Sequence, residues 1–305
     1  MRSSAASDVY KRQVNDIVKK ELLEVKETYN TPRRSEVSYD YSEINIEDLI
    51  EKEDIVVSMT HGGYVKRQPV AEYKSQHRGG VGITAHKTKD EDFVESIFTT
   101  STHDDLMFFT NFGKVYVIKG YEIPEASRNS RGRAVINILQ LDPGEKVATL
   151  LPVPERGEGY LMLATKQGLI KKTALSEFES IRKTGKKAIR LVDGDELIAA
   201  MITKGDEELI IASHEGKCIR FREADVRAMG RDCQGVRSMK LNAGDFAVDM
   251  AMVEEDKEVL TISENGFGKR SSPDEYRVQG RAGMGVKAGV FLSLIHISEP
   301  TRRRG

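Results

Sequence analysis

The chain has no tryptophan and only two cysteines, Cys218 and Cys233, among its 305 residues. Two thiols at no zinc-ligand spacing give neither a disulfide framework nor a thiolate metal site, and they read as reduced thiols. The six histidines stand singly among carboxylates, so no metal ligands are expected. No apolar run approaches the ~20 residues of a membrane span, and no signal peptide is recognisable. A cytoplasmic protein with no membrane association is expected. Charge of one sign is missing too: 47 basic residues nearly cancel 48 acidic ones. Net charge therefore announces no nucleic-acid partner, and only its distribution along the chain can do so.

That distribution is uneven. Residues 36–54 are acidic, with Lys52 their only base, whereas basic pairs such as Lys66-Arg67, Lys171-Lys172 and Lys269-Arg270 come later. Runs such as Asp90-Glu91-Asp92 and Glu254-Glu255-Asp256 read as solvated turn ends. No Ser/His/Asp order stands out and no nucleophile is identified, so no catalytic residues are assigned. Residues 1–13 and 293–305 match nothing in the internal pattern and resemble translated sequencing-adapter strings. They are set aside from the fold reasoning, with the natural protein expected to continue past both ends. Residues 14–29 form a charged amphipathic pattern with Ile17, Leu22, Leu23 and Val25 as apolar positions; Thr31-Pro32 ends this short helix. Residues 30–52 read as an acidic linker.

The strongest signal is internal repetition. A short apolar run, Thr or Ser, two residues and a glycine recur five times, ending at Gly63, Gly113, Gly168, Gly216 and Gly266, at intervals of 50, 55, 48 and 50 residues. Each copy reads as a hairpin with glycine at the turn, where positive φ costs it little. Runs such as 106–110 and 161–165 are continuously apolar, as expected of strands buried on both faces. A third strand precedes the hairpin in four copies, at 93–99, 147–153, 197–203 and 247–253. A fourth element follows 17 or 19 residues beyond the turn glycine, around Gly80, Gly132, Gly185, Gly235 and Gly283. Four short strands per unit, repeated over residues 53–292, predict an all-β, propeller-like domain of five four-stranded blades.

The second strand of the hairpin carries bases: Lys66 and Arg67, Lys171 and Lys172, Arg220 and Arg222, Lys269 and Arg270. Radial repetition would line them up along one rim, the footprint of a duplex DNA track. No aromatic stacking platform accompanies them, which argues against single strands. The glycine-rich pieces Arg78-Gly79-Gly80-Val81-Gly82 and Arg281-Ala282-Gly283-Met284-Gly285 recur at one offset. Such glycines suit either backbone approaching phosphates or strand-crossover geometry, and both readings stand.

Residues 60–82 (THGGYVKRQPVAEYKSQHRGGVG) resemble the first blade of the C-terminal domain of bacterial DNA gyrase A subunits, which are components of type IIA topoisomerases. Similar stretches are FFTNFGKVYVIKGYEIPEASR (108–128), KKTALSEFESIRKTG (171–185), RAMGRDCQGVR (227–237) and ENGFGKRSSPDEYRVQGRAG (264–283). The resemblance covers residues 14–290. It implies a six-bladed β-pinwheel, with strands exchanged between blades, that wraps duplex DNA positively in support of ATP-dependent negative supercoiling. It places residues 14–29 at the end of a helical segment leaving the cleavage domain. It implies DNA contacts from the bases named above and from Gln76, Arg78, Gly79, Gly80, Gly82, Arg131, Arg133, Lys186, Lys187, Arg237 and Arg281. The partners implied are double-stranded DNA and, in an A2B2 enzyme, the gyrase B protein with another copy of the gyrase A chain. ATP and Mg would be used through other parts of that enzyme, and this fragment would bind no cofactor. Three departures stand out. His77 and Val81 replace the two flanking bases of the family's glutamine-arginine-glycine box, five repeats are present rather than six, and no Arg-Tyr dipeptide supplies a catalytic tyrosine. The related C-terminal domain of topoisomerase IV, and a protein-interaction propeller, remain as alternatives.

Overall fold

A computed structural model describes residues 3–31, 35, 46–73, 88, 92–153, 159–179, 181–263, 265–288 and 294–302. The chain divides into two units, Met1–Asp48 and Leu49–Gly305. The first holds one helix, Ser3–Tyr29. It starts well before residue 14 because no glycine or proline interrupts the chain over that span. Ile17, Leu22, Leu23 and Val25 are exposed on it. Among the described residues, no helix is long and apolar enough to cross a membrane.

The second unit contains five antiparallel hairpins. They pair Asp54–Thr60 with Tyr64–Pro69, Asp105–Thr110 with Lys114–Lys119, Tyr160–Thr165 with Leu169–Ala174, Glu208–Ser213 with Lys217–Arg222, and Lys257–Ser263 with Gly268–Ser271. The five turn glycines all hold φ between +71° and +79°, the left-handed region that glycine enters without a Cβ penalty. An aspartate caps three of these turns through its Oδ1: Asp92 accepts from Gly62 N at 2.7 Å, Asp195 from Gln167 N at 2.9 Å and Asp245 from Glu215 N at 3.0 Å. Asp92, read from the sequence as a solvated turn end, is thus a structural cap. Burial opposes its ionisation, but hydrogen bonds from Gly62 N, Thr60 and Phe93 N outweigh that and hold its carboxyl below the usual range.

The third strands fall where the sequence placed them, at Val94–Ser101, Val147–Val153, Leu197–Thr203 and Ala247–Val253. Their partners show the exchange between blades that the resemblance implies. Each pairs with the first strand of the hairpin before it, not with the hairpin that it precedes. The fourth strands are only two residues long, Arg133–Ala134, Lys186–Lys187, Val236–Arg237 and Val286–Lys287, and each crosses back to the second strand of the preceding hairpin. Each of the first four blades is therefore completed by two segments of the next repeat. Four sheets have four strands; the fifth has three, Gly268–Ser271, Lys257–Ser263 and Leu294–Arg302. The last of these lies beyond the 53–292 span read from the sequence.

Stacking of successive sheets explains the unbroken apolar runs. In Asp105–Thr110, where every residue is buried, Leu106 and Phe108 join a core with Ile55, Val57 and Met59 of the first hairpin. Met107 and Phe109 join the next core, with Leu161 and Leu163. Met162 and Ala164 then meet Leu209 and Ile211, and Ile210 and Ala212 meet Val259 and Tyr276. Side chains alternate between faces along a strand, so a strand walled by cores on both sides has no polar face.

Candidate nucleic-acid interface

In the first four blades the second strand of the hairpin is an inner strand of its sheet, and this position decides the fate of its bases. Lys66 and Lys171 are fully buried. Lys66 Nζ donates to the carbonyls of Ser127, Arg128 and Ser130 at 3.0, 2.9 and 3.1 Å. Lys171 Nζ donates to Ala188 O at 2.7 Å and to Arg231 O. Lys172 is buried against the Glu223 carboxylate at 2.9 Å and the Tyr160 ring at 4.0 Å. Arg67 pairs with Glu53 and Glu125, and Arg220 with Glu208 and Asp274. The expectation that these pairs line an outer rim is corrected: the sheets on either side enclose the strand and turn its bases inward. Arg222 is exposed beside Glu208 at 3.8 Å. Lys269 and Arg270 also remain exposed, facing Glu275 and Glu258, on a strand with no fourth strand beside it.

Desolvation lowers the Lys171 pKa to about 8. The unfolded chain keeps this proton up to about 10.5, so between the two values the unfolded state binds more protons and stability rises with pH. Between pH 7.5 and 9.5 the urea midpoint should rise relative to that of Lys171→Met, by about 2 kcal/mol of folding free energy.

The exposed cations lie instead on the crossover segments. Each segment turns on a glycine of positive φ, Gly132, Gly185, Gly235 or Gly285. A Cβ there would stand 2.5 Å from Val65 O, 2.6 Å from the Tyr116 ring, 2.7 Å from Ile170 O and 2.7 Å from Cys218 O respectively. These glycines serve the close seating of the crossover on the preceding hairpin. In the last copy the equivalent residue is Gly285, not Gly283 as the sequence suggested. One or two residues beyond each glycine stands an exposed base: Arg133, Lys187, Arg237 and Lys287. Among the described residues, none of these four has a carboxylate within ion-pair distance.

Neighbouring crossover segments are tied edge to edge. Arg190 N donates to Cys233 O at 3.1 Å, Lys240 N to Gly283 O at 2.8 Å and Ala282 N to Ser238 O at 2.6 Å. Arg131 is exposed over the Tyr64 ring at 5.5 Å, Lys186 is half-buried, and Arg281 is exposed while its guanidinium donates to Asp225 O and Arg237 O. Arg182, Lys183, Arg190, Lys240 and Lys287, all exposed on the same segments, were not singled out from the sequence. The usable signal was the base at a fixed offset past the crossover glycine. Gln76, Arg78, Gly79, Gly80 and Gly82, with His77 and Val81, lie outside the described residues.

Each crossover strand pairs beside the hairpin turn, as in Arg237↔Leu169 and Lys287↔Lys217, so these bases collect at the turn ends of the blades. At the opposite end of the last two blades, Asp206, Glu207, Glu208, Glu254, Glu255 and Asp256 line one depression together with Arg220 and Lys257.

A family model described as "DNA gyrase C-terminal domain, beta-propeller" matches residues 54–101, 104–154, 159–204, 207–254 and 257–290, one stretch per repeat. The chain belongs to the DNA gyrase C-terminal domain family. The gyrase A protein of Staphylococcus epidermidis is 45% identical over 280 residues, 90% of this chain and 31% of that protein. The chain therefore spans about a third of the length of this curated relative. A solved structure of a DNA gyrase A C-terminal domain matches with TM-score 0.65 and 31% identity, covering 81% of this chain and 82% of that one. The C-terminal domain of a DNA topoisomerase IV matches with TM-score 0.69 and 25% identity, covering 83% and 79%. The two backbones are nearly equally similar, and sequence identity places this member of the family with the gyrase A proteins.

Proposed function

We propose that this domain binds double-stranded DNA without reading its sequence and wraps it positively, in support of negative supercoiling by a complete gyrase. The observation that carries this reading is the exposed, unpaired base at one place in four successive crossover segments: Arg133, Lys187, Arg237 and Lys287. Cations in register along a linked belt match a phosphate backbone, and contacts to phosphates fix position while carrying no base information. Arg131, Lys186 and Arg281 lie on the same crossover segments. Bending a 20–30 base-pair site by 40–90° costs on the order of 1–6 kcal/mol, which counterion release at several such contacts offsets.

In the complete enzyme the domain would serve an A2B2 assembly with gyrase B, ATP and Mg being held by other parts. Closing a nicked plasmid with ligase in the presence of the chain tests the wrap. A rise in linking number with added protein is expected. Tight binding with unchanged linking number would overturn wrapping, and no binding at low salt would overturn the interface.

A further inference from the structure

The third residue past each turn glycine, buried in every blade but the last, supports a crossover segment of the next repeat. Tyr116 lies under Gly185, and Ile219 packs under Gly283. In the first and third blades the supporting residue is a lysine, and its ammonium group reaches only main-chain carbonyls: three on residues 127–130 for Lys66, and those of Ala188 and Arg231 for Lys171. The two carbonyls held by Lys171 come from consecutive crossover segments, one ending the strand of Lys187 and one opening the loop to Arg237. A buried carbonyl deprived of its donor is costly, so each loop keeps its carbonyls inward only while the lysine is present, and its bases then face solvent.

We infer that Lys66 and Lys171 are positioning residues for DNA binding, holding the crossover loops so that Arg131 and Arg133, and Lys187 and Arg237, meet successive phosphates. The inference rests on the interface proposed above. Neither lysine touches DNA, since both are fully buried. The titratable groups around Lys171, in addition to the Arg231 side chain, are Asp232 and Cys233 on the same loop and Glu177 past its own strand. None is within ion-pair distance of the ammonium among the described residues.

The test compares Lys171→Met, which offers no donor, with Lys171→Gln, whose amide can donate to both carbonyls without charge. Duplex affinity is read by fluorescence anisotropy across salt concentrations, with Arg237→Gln alongside. Lys171→Met should weaken binding about eightfold at 0.1 M salt and flatten the slope of log K against log salt by about 0.9, the signature of one lost phosphate contact. Lys171→Gln should recover part of both. Hydrogen exchange at the amides of residues 231–237 should speed up in the methionine variant, and Lys66→Met should repeat the pattern at residues 127–133, so the inference stays testable if one variant misfolds. Wild-type affinity and slope in both methionine variants, with Arg237→Gln weakened, would overturn the positioning role and leave the interface standing. Equal losses in Lys171→Met and Lys171→Gln would assign the effect to buried charge and overturn it as well. An Arg237→Gln variant that binds like wild type would count instead against the interface at that loop.

Discussion

A chain carrying Arg133→Gln, Lys187→Gln, Arg237→Gln and Lys287→Gln together should lose roughly three orders of magnitude in duplex affinity near 0.1 M salt, with the slope of log K against log salt falling by about 3.6. All four side chains are exposed and lie outside every interblade core. Each change should therefore shift stability by no more than about 0.5 kcal/mol. Affinity and folding then separate cleanly, which equilibrium unfolding run beside anisotropy would establish. Two unrelated duplexes should be affected alike, because phosphate contacts carry no sequence information. A loss confined to one duplex, or an unchanged slope, would move the DNA track away from the crossover segments.

The largest effect on stability is expected at Glu223, where the carboxylate is wholly enclosed. It accepts from Lys172 at 2.9 Å, from Thr203 Oγ1 at 2.7 Å and from Gly205 N at 3.2 Å. Glu223→Ala would strand the buried Lys172 ammonium, and breaking a buried pair on one side costs about 3–5 kcal/mol. Removing both partners is a different experiment. Glu223→Leu with Lys172→Met leaves no buried charge and should recover most of that loss, since well-packed apolar replacements of buried pairs are often neutral or stabilising. Urea midpoints of the single and double variants decide between these outcomes. If Glu223→Ala were as stable as the parent, Lys172 would have found water, and its burial would not govern the site.

Much of the fold was legible because its signals are local. The spacing of Gly63, Gly113, Gly168, Gly216 and Gly266 gave the hairpins, and continuous apolar runs gave strands buried on both faces. Strand exchange was legible only through the family resemblance, since nothing within 147–153 tells that strand to pair with 105–110 and not with the hairpin after it; such pairings are set by tertiary packing. The basic residues misled for a related reason. A lysine's four-carbon stem packs as an apolar residue while its ammonium seeks acceptors, so Lys66 and Lys171 read as surface pairs although carbonyls of a neighbouring repeat were waiting for them. Arg133, Lys187 and Arg237, named through the resemblance, are exposed on the crossover segments. Lys287 was missed through a two-residue misplacement of its crossover glycine.

Completion of each blade by the following repeat gives synthesis a direction. When a hairpin leaves the ribosome, both edges of its two strands are bare, and the segments that cover them begin about 25 and about 65 residues downstream. At 5–20 residues per second the second edge waits about 3–13 seconds, and unpaired edges are sites of mispairing throughout that time. Slowing translation within one repeat should therefore injure the blade already made more than the one being made, and nascent chains stalled between repeats should be most sensitive to proteases in the last hairpin made.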